Sequence, residues 1–288
     1  VQMLFLLLQV PVLFLFGPGH VFRPVPLRLL LDHDGLREYV RLMAPGMLVC
    51  LLEWWALEAI ILLAGRLRSP LVAIGAIAAC ANLQAVALMA WIGCAVAAST
   101  TVGRHIGAGD VRAARLAAAA ALAVSAVLGI ALGGAVALLR QPLSRLFTAD
   151  AAINALTRRT MPLLGLVMAA DALSNALGGA CSGIGLQRYS AGAQLIGYYV
   201  VGMPVGIWAA FGPLGGSEDG ALALWVGACL SMLVAAALQA LVLARYDWAA
   251  CAAESAARVH LDDARAAAQS VTSAEDEPPS SVTILKML

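Results

Sequence analysis

The chain has 288 residues, of which 62% are hydrophobic and 12% are charged, and its mean hydropathy is +0.88. Soluble domains carry about 25% charged residues, so this composition excludes an ordinary water-soluble enzyme. The formal net charge is only +1. The positions of the charged residues along the chain indicate how the protein is organised.

Six apolar runs are long enough to cross a membrane as helices, which takes about 20 residues each. None of them contains Lys or Arg. The runs cover residues 43–64, 70–98, 116–139, 161–181, 189–212 and 220–244. Lipid cannot satisfy exposed backbone polar groups, and a barrel would alternate polar and apolar residues in segments of about ten. The sequence therefore predicts an all-α membrane protein with a six-transmembrane-helix bundle.

The two ends of the chain differ from this block. Residues 3–17 form a shorter apolar run with no basic residue ahead of it, unlike a secretory signal. We therefore interpret residues 1–35 as the truncated end of a preceding helix and a linker, and residues 36–248 as the six-helix unit. Residues 249–288 start Ala-rich and end in a composition typical of disorder, which predicts a cytosolic, partly disordered tail.

Basic residues distribute unevenly between the two sides of the block. Twelve of the 18 Lys and Arg residues fall before the first run, in the connector 99–115, at Arg188 or after the last run. The other six fall on the opposite side. Since cytosolic connectors carry the excess of Lys and Arg, both ends of the six-helix block are expected in the cytosol.

The sequence carries no constellation typical of catalysis or metal binding. Its six cysteines and four histidines are scattered singly, and it lacks the glycine-rich motifs that bind phosphates. We therefore expect no enzyme activity, no cofactor, no metal site and no nucleic-acid partner.

Only three of the 17 acidic residues lie inside apolar runs, namely Glu53, Glu58 and Asp171. An intramembrane carboxylate costs about 2.5–3.5 kcal/mol, so each is a functional candidate; a structural acid bonded to a neighbouring helix is the alternative. No run offers a cationic partner. A carboxyl in such surroundings favours its neutral form and can exchange a proton near neutral pH, in competition with a cation. This exclusion of one occupant by the other is the minimum chemistry of an antiporter.

Helical geometry indicates the neighbours of the first two acids. At 100° per residue, Glu53 and Glu58 are about 140° apart and do not share a face. Trp54 lies one turn before Glu58, where an aromatic ring could hold an organic cation. Ordinary bundle packing is the alternative interpretation of this tryptophan.

A polar stripe accompanies the third acid, since Ser174 and Asn175 share the helix face of Asp171. Such a stripe should face a wet cavity or another helix. In the run 70–98, which also contains Gln84, Asn82 is a candidate for a cavity wall, with adhesion between helices as the alternative.

Prolines predict irregular helices. Pro204 lies inside the run 189–212 beside Gly202, and this pair is a candidate hinge, with a static kink as the alternative. Pro162 is expected to start the run 161–181.

Four stretches resemble the multidrug and toxic compound extrusion (MATE) transporters, particularly the C-terminal half of the eukaryotic, plant-like branch. They are PGMLVCLLEWWALEAIILLAG at 45–65, VAASTTVGRHIGAGDVRAAR at 96–115, DALSNALGGACSGIGLQ at 171–187 and GYYVVGMPVGI at 197–207. The resemblance implies one six-helix lobe of a twelve-helix transporter, with the N-terminal lobe missing. It also implies an antiporter of the plasma or vacuolar membrane that exports organic cations, xenobiotics or secondary metabolites in exchange for H⁺, less often Na⁺.

The resemblance also assigns residues. Glu53, Glu58 and Asp171 match the acids at which protonation and substrate binding meet in the family. Tyr198, Tyr199 and Pro204 match the family's eleventh-helix element, and both tyrosines are candidates for the cavity lining. Two other hypotheses stay open: a six-helix homodimer that is channel-like or structural without coupled exchange, and an inactive fragment of a MATE gene.

Overall fold

The computed structural model describes residues 33–212 and 219–257, and the described part is helical with short connectors. Its helices are α1 His33–Ala64, α2 Pro70–Gly107, α3 Val111–Leu138, α4 Arg140–Phe147, α5 Ala151–Gly183, α6 Gln187–Leu195, α7 Met203–Phe211 and α8 Gly220–Arg245. A π-helix, Ile196–Gly202, joins α6 to α7. The preceding helix expected before residue 33, and the tail after 257, lie outside the described residues.

Six stretches of the described chain are long and apolar enough to cross a membrane. They are Tyr39–Ala64, Pro70–Gly107, Val111–Leu138, Ala151–Gly183, Gln187–Phe211 and Gly220–Arg245. The prediction of an all-α protein with six membrane-spanning helices is thereby confirmed. The described residues divide into two compact units after Ala44, and the residues of the site belong to the second unit.

The helices extend beyond the apolar runs because polar residues do not end them. In α2 the hydroxyl of Thr101 donates to the carbonyl oxygen of Ala97 at 2.6 Å, so the helix satisfies its own polar side chain and continues to Gly107. Helix α5 starts at its cap, Asp150, whose carboxylate accepts from two backbone N–H groups at 2.9 Å. The expectation that Pro162 starts this span is therefore wrong, since it lies inside α5.

Helix α5 is the most enclosed span and packs against α2, α3 and α8. In its most apolar window 61% of the residues are buried, against 17% in α3. Glycines allow the close approach: a side chain at Gly165 would overlap the backbone of Gly133 on α3, and one at Gly179 would overlap Ala95 on α2. Small residues permit such backbone contact within a membrane. Side chains in the middle of α5 are consequently held in the protein core.

The end of the bundle where α2, α5 and α8 terminate carries a separate apolar cluster. Val102, Cys181 and Leu243 pack there with Trp248, which belongs to the helical residues 248–257. The guanidinium of Arg115 lies 5.8 Å from the centroid of the Trp248 ring, within cation–π range. The start of the segment assigned to the tail thus packs on the bundle.

Candidate functional site

Asp171 lies at the centre of the enclosed helix α5, with 1% of its surface exposed. Gln84 of α2 donates through Nε2 to Oδ2 of Asp171 at 2.6 Å, and Asn175 donates through Nδ2 to Oδ1 at 2.8 Å. Both carboxylate oxygens therefore accept a hydrogen bond from an amide. Ser174 is also buried, but its hydroxyl makes no hydrogen bond to another described residue. The polar stripe of α5 faces protein, and Asn175 is its member that bonds the acid.

Gln84 is the functional residue that the site prediction missed. The sequence singled out Asn82 from the two amides of this helix, yet the side chain of Asn82 is exposed and donates to Ala78 of its own helix. Gln84 is 3% exposed and bonds Asp171. Asn82 and Gln84 are two positions apart in the sequence and therefore about 200° apart around α2. Only one of them can face α5. Nothing in the sequence of α2 alone indicates which one.

Two further elements converge on this carboxyl. Glu53 of α1 is half-buried and close enough to interact electrostatically with Asp171 and with Tyr198, which is 5% exposed in the π-helix. The hydroxyl of Tyr199 donates to the carbonyl oxygen of Leu52 at 3.1 Å and so ties the π-helix to α1. Four helical elements thus meet around one buried acid.

A cavity of about 220 Å³ lies beside the acid, between α1, α2 and α8. Its lining includes both acids of α1, an aromatic ring, both amides of α2 and a methionine: Glu53, Trp54, Glu58, Asn82, Gln84 and Met232. Although Glu53 and Glu58 are about 140° apart on α1 and were not expected to share a face, both line this one cavity. No lining residue is basic.

Gln84 connects the cavity to Asp171. It lines the cavity and also bonds the buried carboxylate, whereas Asp171 does not line the cavity itself. Trp54 and Glu58 lie at the opposite wall, where the Trp54 side chain is 45% exposed. The site therefore has an accessible acidic and aromatic chamber and an enclosed acid behind it, with one amide between them.

The candidate hinge, Gly202 with Pro204, lies where the π-helix meets α7. A side chain at Gly202 would overlap Ser231 of α8, and one at Gly197 would approach the Ser231 carbonyl oxygen to 2.5 Å. In an α-helix these two glycines, five residues apart, would face about 140° away from each other. The wider π turn, with its i to i+5 bonds, places both against α8 and ends just before Pro204, which has no N–H to donate.

The comparisons with known proteins agree with this architecture. The MatE family profile matches residues 45–208. Protein DETOXIFICATION 14 of Arabidopsis thaliana is 30% identical over 230 residues, which cover 80% of this chain and 47% of that protein. Multidrug and toxin extrusion protein 2 of Mus musculus is 31% identical over 224 residues, or 78% of this chain and 38% of that protein.

A solved structure matches as well. The crystal structure of the eukaryotic MATE transporter AtDTX14 superposes with a TM-score of 0.73 at 30% identity, covering 78% of this chain and 50% of that one. The chain thus spans about half the length, or less, of the relatives it matches. With a family profile over more than half of its residues and a relative of shared fold, the chain belongs to the MatE family of multidrug and toxic compound extrusion transporters.

Proposed function

We propose that this chain is the C-terminal lobe of a secondary active antiporter that exports organic cations, xenobiotics or secondary metabolites in exchange for H⁺, with Na⁺ as the alternative coupling ion. The observation that carries the proposal is Asp171: a carboxyl 1% exposed, held by two amides and separated by one side chain from an acidic cavity. The names of the relatives, which refer to extrusion and detoxification, favour transport over catalysis.

The arrangement can alternate between two occupants. Two amide N–H groups can bind the ionised form of Asp171, while its burial favours the protonated form. Glu53 and Glu58 attract a cation into the cavity, and the face of Trp54 adds cation–π attraction. Because Glu53 interacts electrostatically with Asp171, a cation on the cavity side favours loss of the proton behind it.

The cavity size supports a site shared with a second lobe. Pockets for drug-sized ligands have volumes of about 300–1,000 Å³, and this cavity has about 220 Å³. The relatives are about twice as long or longer. We therefore infer that an N-terminal lobe completes the substrate path, with the lipid bilayer around both lobes.

The proposed orientation follows from charge. Arg104, Arg112 and Arg115 lie at the junction of α2 and α3, at the same end as Arg188 and Arg245. With the basic residues before residue 43 and after residue 245, this side has twelve Lys and Arg residues against six, which supports a cytosolic location for both ends of the six-helix block, in the plasma or vacuolar membrane.

The test is transport by the native transporter that contains this chain, reconstituted in vesicles with an imposed pH or Na⁺ gradient and a fluorescent organic cation. We expect the pH gradient to drive efflux, and Asp171→Asn to reduce it to the background rate because asparagine cannot release a proton. Asp247→Asn makes the same chemical change at a helix cap outside the membrane, where asparagine also caps, and should retain efflux.

Two outcomes contradict the proposal. Full pH-driven efflux by Asp171→Asn would remove the coupling role of this acid. Downhill flux that no ion gradient affects would favour the channel-like alternative.

A further inference from the structure

We propose that Gln84 is the proton-responsive positioning residue of this site: its amide turns over when Asp171 gains or loses a proton, and so transmits the charge of the buried acid to the cavity. The inference rests on the proposed function, because it describes a side-chain rotation that accompanies proton exchange at Asp171. It goes further by assigning a role to a residue outside the three acids.

The geometry leaves the Gln84 amide half satisfied. Its Nε2 donates to Oδ2 of Asp171 at 2.6 Å, which suits an ionised carboxylate that only accepts hydrogen bonds. Its Oε1 is buried and makes no hydrogen bond within the described part of the chain. A buried acceptor without a partner is costly, so the present orientation depends on the bond from Nε2 to Asp171.

Protonation reverses the requirement. When Oδ2 takes up a proton it becomes an O–H donor, and the Nε2–H group that faces it has no lone pair to accept that hydrogen bond. Rotation of the Gln84 amide by half a turn brings Oε1 to face the new O–H group. The O–H group then donates to Oε1, so both of these groups have a hydrogen-bond partner, while Nε2 turns away. No covalent bond other than the O–H bond of Asp171 forms or breaks. One amide can therefore bind either form of the acid, and it accepts the O–H hydrogen bond of Oδ2 only after it has turned over.

Asn175 cannot make this exchange as readily. Its Nδ2 is held both by Oδ1 of Asp171 at 2.8 Å and by the Asp171 backbone carbonyl oxygen at 3.1 Å. Turning it would break the backbone bond too, whereas the recorded bond of Gln84 is the one to Asp171. The acid thus has one fixed amide and one that can rotate.

The test must distinguish proton exchange at Asp171 from proton exchange at other titratable groups near it. Glu53 on α1 and Tyr198 in the π-helix interact electrostatically with Asp171, and Glu53 also borders the cavity. Of the residues that contact both the cavity and the acid, Gln84 alone carries an amide that bonds Oδ2. The spectra are therefore recorded in a Glu53→Met background, so that position 53 contributes neither a carboxyl signal nor a labelled glutamine, and efflux is measured with Glu53 present.

The test is infrared difference spectroscopy between mildly acidic and alkaline pH on the transporter in lipid vesicles, with the glutamine side-chain carbonyl labelled with ¹³C. We expect a labelled carbonyl band to move to lower wavenumber as the carboxylic-acid band of Asp171 appears, because Oε1 gains a strong hydrogen bond. Asp171→Asn should remove both changes, and Gln84→Met should remove the glutamine change. Gln84→Met should also slow pH-driven efflux about tenfold, which is about 1.4 kcal/mol.

Gln194→Met is the matched control, because Gln194 is another buried glutamine whose Oε1 makes no hydrogen bond in the described chain. It should leave the pH-dependent glutamine band unchanged. A glutamine band that does not follow Asp171 overturns the inference even where efflux is proton-driven. A band that responds to Na⁺ at constant pH also overturns it, since Oε1 would then be a cation ligand. The spectroscopic change without coupled efflux leaves the inference standing and contradicts the proposed function.

Discussion

Two buried polar clusters in this protein use the same amide chemistry with different consequences. The proton cluster is Gln84, Asp171 and Asn175, and the amide cluster is Ser190 and Gln239. In the amide cluster, Nε2 of Gln239 donates to the hydroxyl of Ser190 at 3.0 Å and so joins α8 to α6. In each cluster a glutamine that is at most 3% exposed bonds a neighbouring helix and leaves its Oε1 without a partner among the described residues.

The clusters differ in charge and access. One contains a carboxyl and borders the 220 Å³ cavity through Gln84; the other contains only neutral groups, and none of its members lines that cavity. A buried amide pair by itself therefore indicates adhesion between helices. The proton cluster can change its charge because it contains an ionisable carboxyl next to an accessible cavity.

Placing an acid in the amide cluster should give the largest effect. We expect Gln239→Glu to lower the free energy of unfolding by about 2.5–3.5 kcal/mol at alkaline pH, the cost of a carboxylate within the membrane, and by less at mildly acidic pH, where the side chain is neutral. Thermal unfolding in detergent across this pH range measures it.

Gln239→Met is the control, and it should change stability by less than about 1 kcal/mol at every pH, because an apolar replacement leaves no unsatisfied amide. Equal stability of Gln239→Glu at both pH values would mean that the amide cluster also accommodates charge, and the contrast between the clusters would be lost.

A smaller effect is expected at the cavity rim of the proton cluster. Glu58→Gln removes one of the two acids of α1 that line the cavity and should reduce pH-driven efflux about tenfold or more, with normal expression. Efflux at saturating substrate in vesicles, together with protein abundance, measures it. Asp110→Asn is a suitable control, since it keeps a capping residue outside the membrane. An unaltered rate would place the exchange at the enclosed acid alone.

The smallest effect concerns the aromatic wall. Trp54→Ala should weaken the affinity for an organic cation about 2- to 30-fold, the range that corresponds to a cation–π contribution of about 0.5–2 kcal/mol. The pH dependence should stay the same, because Trp54 does not contact Asp171 in any recorded bond. Binding of the fluorescent cation measures the affinity, and Trp55→Ala, which is 61% exposed and outside the cavity lining, is the control. A change confined to pH dependence would show the cation interpretation of Trp54 to be wrong.

The sequence identified the acidic residues that are unusual within a membrane. It predicted only some of the side-chain contacts that those acids make. Glu53, Glu58 and Asp171 are conspicuous because lipid penalises charge wherever the chain folds, and the 3.6-residue period relates Asp171 to Asn175. The choice between Asn82 and Gln84 depended on how α2 is rotated against α5. That rotation is set by the glycine contacts between Gly179 and Ala95, which no local pattern encodes.

The amino-acid sequence by itself determined the class of this protein. Long apolar runs without basic residues can only be spanning helices, and the three carboxyls among them are functional candidates. Both conclusions follow from the cost of placing polar groups in lipid. The tertiary structure decided that Gln84 stands between the cavity and Asp171, and that a π turn aligns Gly197 with Gly202 against α8. These arrangements depend on helix rotation and helical pitch, which are settled by backbone contacts between segments far apart in the chain.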